Sequence, residues 1–394
     1  MTAKKKIAIY TGNRAEYGLQ YPIIKAVDRH PELEYFLLVS GAHLQEDFGY
    51  TKGEIEKDGF RIHAEVKLIT KQDTLFSTAK SIGSGILSLS TILNQLKPDF
   101  LVVYADRFEG FSAVITGTQM NVPTAHVEGG DLTEGGALDD SVRHAMTKLS
   151  HLHFCTNEEA RERILGLGEE SWRVHNVGFP AIDLLAEGNY ASPKEIQEKF
   201  CLDFNKPLIV FTQHSVSTEF DQAETQINPS LDALVKCTQE GIQVVITYPN
   251  NDAGGKRIIN AIDALRKLSI PNMIVQESLG RYYFHGMLNI CKDNGVCAGN
   301  SSSGIKETPF FGSPTVNIGT RQNGRLRSTN IIDTGYDKVE IKSAIDKCLF
   351  DIEFRKECAS CKNPYGFGNA GKKISNILAK SPTDIKMLQK RITY

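Results

Sequence analysis

The sequence predicts an α/β protein built from two doubly wound, Rossmann-like halves. Three observations lead there. Short apolar, β-branched runs alternate with amphipathic stretches along the first half of the chain, the pattern of βαβ units and a parallel sheet. The alternation breaks at Gly178-Phe179-Pro180 and restarts at Leu208. Nearly every predicted strand ends in an ionisable or hydrogen-bonding residue, and ligands of open α/β sheets sit at the carboxyl ends of strands.

The elements follow in order. Residues 7–11 read as a strand, ending in Gly12-Asn13-Arg14, with an amphipathic stretch to His30. Residues 35–40 form the next strand, ending in Gly41-Ala42-His43. A long helix over about 74–96 stops before Pro98, because the residue ahead of a proline is biased away from helix. Strand 100–104 ends in Asp106-Arg107, and helix 111–121 follows. The run 122–127 ends in Glu128-Gly129-Gly130, and a helix carrying Asp139, Asp140, Arg143 and His144 comes next. Strand 152–156, helix 158–167 and strand 172–177 close the first half. Residues 185–206 are a polar connecting helix and loop. Strands 208–212, 243–247, 273–276, 295–298 and 315–318 then alternate with helices 224–240, 255–268 and 280–291 and a helix holding Glu307. A helical segment over about 369–390 ends the chain. Two domains are expected, 1–180 with a C-terminal helix of about 369–394 packed back on it, and 181–368.

Composition bounds the function. A chain of 394 residues, 41% hydrophobic and 23% charged, is ordinary for two soluble domains. A net charge of −2 points to no nucleic-acid or polybasic membrane partner. No apolar run reaches membrane-spanning length, and residues 7–10 are too short for a signal-peptide core, so the expected location is cytoplasmic. The eight cysteines are scattered, and the lone Cys358/Cys361 pair has no second pair to complete a zinc site. His144, His151 and His153 lack ligand spacing, so no metal is expected. GxxxxGK[ST] is absent and Gly12-Asn13-Arg14 replaces GxGxxG, which disfavours a P-loop and NAD.

The strand-end residues are Arg14, His43, Asp106, Arg107, Glu128, His214, Asn250, Ser301, Ser302 and Arg321. Each alone reads equally as a cap or a surface charge. Gly299-Asn300-Ser301-Ser302-Ser303-Gly304 is a Gly/Ser turn opening a helix, whose free N–H groups favour a phosphate, or else an ordinary Ser N-cap. Arg14 and Arg321 can pair with that phosphate. Glu307 would repel it and is read as an acceptor for ribose hydroxyls. Tyr282, Tyr283 and Phe284 are candidates for stacking on a base or for the core. Asp139 and Arg143, and Asp140 and His144, are four apart and share a helix face, whether as a site or as surface ion pairs.

Gly12-Asn13-Arg14-Ala15-Glu16-Tyr17, Asp106-Arg107, His126-Val127-Glu128-Gly129-Gly130, Asp139-Asp140-Ser141-Val142-Arg143-His144 and Gly299–Gly304 together resemble the hydrolysing UDP-N-acetylglucosamine 2-epimerases of sialic acid synthesis. Pro249-Asn250-Asn251-Asp252-Ala253-Gly254 and Gly319-Thr320-Arg321-Gln322 resemble the same family, and the likeness runs over roughly residues 5–380. It implies a GT-B fold, two Rossmann-like domains facing each other across a cleft, with UDP mainly on the second. It implies UDP-sugar as substrate and UDP as product, no cofactor, and a homodimer or homotetramer. The animal enzyme's kinase domain has no room in this chain. Carried over by motif, Asp106, Glu128, Asp139 and His214 are the catalytic candidates. Arg107, Arg143, His144 and Asn250 would position substrate, and Arg14, Phe284, Ser301, Ser302, Glu307 and Arg321 would contact UDP. Crowded carboxylates are expected to have raised pKa values. The loop 131–137 is longer than in the sialic-acid enzymes and Ser215 stands where the family often has proline. UDP-N,N'-diacetylbacillosamine is therefore an alternative substrate. A GT-B glycosyltransferase, a non-hydrolysing epimerase and a sugar-nucleotide sensor are the rival readings.

Overall fold

A computed structural model describes residues 3–44, 51–68, 75–132, 138–250 and 253–394. The expected helix start at residue 74, most of the loop at 131–137 and the Asn251-Asp252 pair lie outside the described residues. The chain divides into two compact units. The first comprises Met1–Asp131, Leu138–Leu184 and Tyr365–Tyr394, and the second is built on Leu185–Pro364.

In the first unit β1 (Lys5–Thr11), α1 (Arg14–Asp28), β2 (Leu33–Ser40), α2 (Lys52–Lys57), β3 (Ile62–Val66), α3 (Leu75–Leu96), β4 (Phe100–Tyr104), α4 (Phe108–Gln119), β5 (Thr124–Val127), α5 (Leu138–Leu149), β6 (Leu152–Cys155), α6 (Glu158–Gly166) and β7 (Val174–Asn176) alternate. The strands pair in parallel in the order β3-β2-β1-β4-β5-β6-β7. The winding reverses between β1 and β4, which makes that boundary the switch point. Alternate side chains feed both faces. Ile7 and Ile9 pack with Tyr17, Ile23 and Ile24 of α1, while Ala8 and Tyr10 pack with Leu89, Leu93, Ala113 and Val114 of α3 and α4. Helix α1 starts where Asn13 Oδ1 accepts the Glu16 N–H at 3.0 Å. Helix α3 ends at Leu96, and Lys97 takes φ 47° ahead of Pro98.

The chain leaves through α7 (Ile182–Ala186). The second unit contains α8 (Pro193–Phe200), β8 (Leu208–Thr212), α9 (Ala223–Gln239), β9 (Gln243–Thr247), α10 (Gly255–Arg266), β10 (Met273–Gln276), α11 (Gly280–Asn294), β11 (Gly295–Gly299), α12 (Ser303–Lys306), α13 (Thr308–Phe311), β12 (Thr315–Ile318), β13 (Ile331–Thr334), α14 (Lys338–Phe350) and α15 (Ile352–Ala359). Its parallel sheet runs β10-β9-β8-β11-β12-β13, so it switches between β8 and β11. Both sheets thus repeat one winding order.

The sequence reading did not anticipate β3, β13, α2, α14 or α15. Strands β3 and β13 are sheet edges and only partly buried, so neither shows an apolar run. The expected helix over 369–390 is two, α16 (Ala370–Lys380) and α17 (Ile385–Leu388), because Pro382 cannot continue a helix. Both belong to the first unit. Ile374, Leu378 and Met387 join its core, and Asp183 accepts the Ala370 and Gly371 N–H groups at 2.8 Å each. Gly371 has no Cβ, and one would lie 2.5 Å from the Pro22 carbonyl on α1. The end of the chain is clamped: buried Arg173 donates to the carbonyls of Lys386, Met387 and Gln389, and Lys390 Nζ lies 2.8 Å from buried Glu169.

Candidate active site

On the first unit the candidates gather at the ends of β4 and β5, next to the switch point. Both strands leave through a left-handed residue that is not glycine, Ala105 at φ 53° and Glu128 at φ 64°. Such backbone costs about 1–3 kcal/mol and persists where the surroundings over-determine it. The Glu128 N–H is held by the Phe154 carbonyl at 2.9 Å, and its side chain is buried. Asp106 follows Ala105 and accepts a hydrogen bond from Arg143 Nη2 of α5. Arg143 is buried, and it forms an ion pair with Asp106. Asp139 is in the first turn of the same helix and exposed. His144 is half-buried, with Nδ1 lacking a hydrogen-bond partner among the described residues, and burial lowers its pKa.

Arg107 Nε donates to Glu109 Oε2 at 3.1 Å. Arg14 opens α1 and lies 2.9 Å from Glu54 of α2. His43 is buried between Thr11 and Thr51, and burial pushes its pKa down to about 4. A carboxyl that burial does raise is one absent from the strand-end residues. Glu16 is pushed up to about 8 by burial, against the Gly12 N–H it accepts and with the charge of Glu109 adding to the rise. A cavity of about 570 Å³ along β3 is lined by Lys52, Glu56, Arg61 and His63 among others and holds none of the candidates.

On the second unit the ends of β8, β9, β11 and β12 converge on His214. Its Nδ1 accepts the Asn250 N–H at 3.0 Å, so Nε2 carries the ring proton. Burial first, and the charge of Arg321 second, hold it well below the ordinary histidine range. A neutral imidazole presenting Nε2–H is the result. Asn300, absent from the sequence list, accepts the His214 N–H and donates to its carbonyl. Its own carbonyl accepts from Arg321 and Gln322 at 3.3 and 2.8 Å. Gly299 permits the turn, since a Cβ there would lie 2.0 Å from the Thr212 carbonyl.

Three candidates of this unit have local settings that the sequence does not show. Ser301 and Ser302 lead into the single turn α12, and Glu307, expected inside a helix, stands between it and the short α13. Glu307 is turned inward, Oε2 3.2 Å from His285 Nε2; burial opposes its charge, yet the histidine holds its pKa below the usual range. Phe284 packs half-buried against the cluster of Ile196, Leu208 and Met287. Six of the eight cysteines are buried. Among the described residues no group of three His, Cys, Asp or Glu is placed to hold a metal, and no helix is long and apolar enough to cross a membrane.

Comparison with known proteins now adds an independent line. The sequence profile of the UDP-N-acetylglucosamine 2-epimerases matches residues 25–379. The chain is 33% identical over 347 residues to the GDP/UDP-N,N'-diacetylbacillosamine 2-epimerase (hydrolyzing) of Campylobacter jejuni, covering 86% of this chain and 88% of that protein. It is 31% identical to the UDP-N-acetylglucosamine 2-epimerase of Neisseria meningitidis, covering 87% of each. In fold it is similar to a crystal structure of UDP-GlcNAc 2-epimerase from Neisseria meningitidis bound to UDP-GlcNAc, with TM-score 0.80, 20% identity and coverage of 96% and 100%. The expected GT-B pattern of two Rossmann-like domains is therefore the fold of this chain. A profile match spanning most of the sequence, with relatives above 30% identity across its length, places the chain in the UDP-N-acetylglucosamine 2-epimerase family.

Proposed function

We propose that the protein is a hydrolysing 2-epimerase of a UDP-2-acetamido sugar. The observation that carries the reading is the pair of acids at adjacent strand ends, Asp106 fixed by buried Arg143 and Glu128 fixed by left-handed backbone. Inversion at carbon 2 needs a proton removed from one face of the ring and returned to the other, which calls for more than one acid–base group. In the proposed reaction the carbon 2 proton and UDP both leave, giving a 2-acetamidoglucal. Water then adds its oxygen at carbon 1, a proton returns to carbon 2, and the free sugar is released.

Asp106, Glu128 and Asp139 are the proposed acid–base groups of the first domain. His214, with its proton on Nε2, is proposed to donate to the departing group. Arg107, Arg143, His144 and Asn250 are proposed to position the substrate. The 181–368 domain is proposed to hold UDP, through Arg321, Ser301 and Ser302 with Arg14, Phe284 and Glu307 contributing. No cofactor enters the scheme, and a homo-oligomer in the cytoplasm is the proposed state.

UDP-N-acetylglucosamine, feeding sialic acid synthesis, is the substrate to which the sequence motifs point. A second reading, UDP-N,N'-diacetylbacillosamine, is favoured by the name of the Campylobacter relative. Proton NMR in deuterated water, with each nucleotide sugar and no acceptor, tests both. Free UDP with a 2-epimeric sugar deuterated at carbon 2 is the expected result, and the faster substrate assigns the sugar. UDP release only on adding an acceptor would replace the proposal with a glycosyltransferase.

A further inference from the structure

Strand β5 reads Thr124-Ala125-His126-Val127, and His126 has no solvent exposure. Its two ring nitrogens serve opposite demands. Nε2 lies 2.6 Å from the Ala105 carbonyl oxygen, which can only accept, so Nε2 carries the proton. Nδ1, 3.1 Å from Thr147 Oγ1, then accepts the hydroxyl hydrogen. Both ends of this bridge return to Asp106. Ala105 precedes it and stands at φ 53°, a conformation that needs outside support. Thr147 lies one helical turn beyond Arg143 on α5, and Arg143 hydrogen-bonds the Asp106 carboxylate. The result is a closed ring of Asp106, Arg143, a turn of α5, Thr147, His126 and the Ala105 carbonyl. Gly129 leaves room for it, since a Cβ there would lie 2.8 Å from Thr147 Oγ1 and 2.9 Å from His126 Nδ1.

We propose that His126 is a positioning residue for Asp106: its Nε2–H holds the Ala105 carbonyl so that the following carboxylate is presented in one geometry. The proposal rests on the reading of Asp106 as an acid–base group. A bridging histidine of purely structural value would make the same contacts, so the test separates the two nitrogens. In His126→Gln the side-chain amide can place an N–H where Nε2 was. In His126→Asn the amide reaches only the Nδ1 position and leaves the Ala105 carbonyl unbonded.

Two readouts are taken on the full-length protein, steady-state UDP release and crystal structures of both variants. His126→Asn is expected to lower kcat about 100-fold, the scale of a 1 Å misplacement, with KM within about twofold. His126→Gln is expected to restore most of kcat at a similar melting temperature. In the crystals His126→Asn loses the positive φ of Ala105 and the Arg143–Asp106 contact, and His126→Gln keeps both. Wild-type kcat in His126→Asn, or equal loss in both variants with Ala105 and Asp106 unmoved, overturns the proposal. A wild-type enzyme that turns over neither nucleotide sugar overturns the functional reading instead, and the geometry of Ala105 and Asp106 in the two crystals then decides this one.

Discussion

Asn300 closes a two-bond ring on the backbone of His214, accepting its N–H at 2.6 Å and donating to its carbonyl at 2.9 Å. The side chain thereby fixes the residue whose ring faces Asn250 and Arg321. Asn300→Ala removes both bonds inside a buried turn. Stability is expected to fall by about 1–3 kcal/mol, the cost of leaving buried backbone groups unpaired. UDP release is expected to slow at least tenfold, because His214 loses its anchor. Urea unfolding and an initial-rate assay check this, and unchanged kcat would show that His214 is held elsewhere.

The Arg143–Asp106 contact predicts a coupling. Removing Arg143 leaves a partly buried carboxylate without its cation, so Arg143→Ala is expected to cost about 3 kcal/mol. Asp106→Asn beforehand should shrink that cost, since the charge to be compensated is gone. A double-mutant cycle in urea should give an interaction above about 0.5 kcal/mol. Arg143→Lys should rescue stability better than activity, because an ammonium cannot reproduce the planar fork.

Glu16 makes the pH profile of stability directional. Its folded pKa is about 8 against an ordinary 4.5, so between those values the folded chain holds a proton that the unfolded chain releases. Its stabilisation is full below about 4.5 and is lost as pH rises to about 8, by up to about 1.4 kcal/mol per unit. Glu16→Gln lacks this term and should be more stable than wild type at pH 8, with little difference at pH 5. Buried His43 and His126, at about 4 and 3, act oppositely below about 6.5, so the variant-minus-wild-type difference is the quantity to measure.

Gly299→Ala is expected to be severe. The residue sits at φ 119° and its Cβ would lie 2.0 Å from the Thr212 carbonyl oxygen and 2.6 Å from its carbon, backbone atoms that cannot swing aside. Loss of more than about 2 kcal/mol, or loss of soluble protein, is expected in a melting assay. A near-wild-type melting temperature would mean that β8 and β11 can part at their ends.

The fold was legible where strands are buried on both faces. β4, β8 and β9 are five-residue strands buried along their whole length, each with at least three consecutive apolar residues, the pattern of a strand covered on both faces. Edge strands β3 and β13 carried mixed patterns and escaped notice. In the site, strand-end position is what singles out Asp106, Glu128, His214 and Arg321 in the sequence. Spacing along the helix pairs Arg143 with Asp139, whereas its hydrogen bond to Asp106 spans 37 residues, a separation that no local pattern encodes. Glu307 was read from its place after a Ser turn, whereas its neighbour His285 lies on another helix. His126 did carry a signal: a polar residue inside an apolar strand must find partners.

The clamp on the last residues has a consequence for synthesis. Helix α16, the Arg173 contacts and Lys390 all belong to the first unit, yet the chain makes them only after the whole of the second. At roughly 5–20 residues per second, the emerging first unit waits many seconds for its missing pieces. The second unit, continuous in sequence over Leu185–Pro364, can finish folding in that interval. The ribosome thus delivers a completed insert inside an unfinished host, and residues 365–394 are the closing stitch.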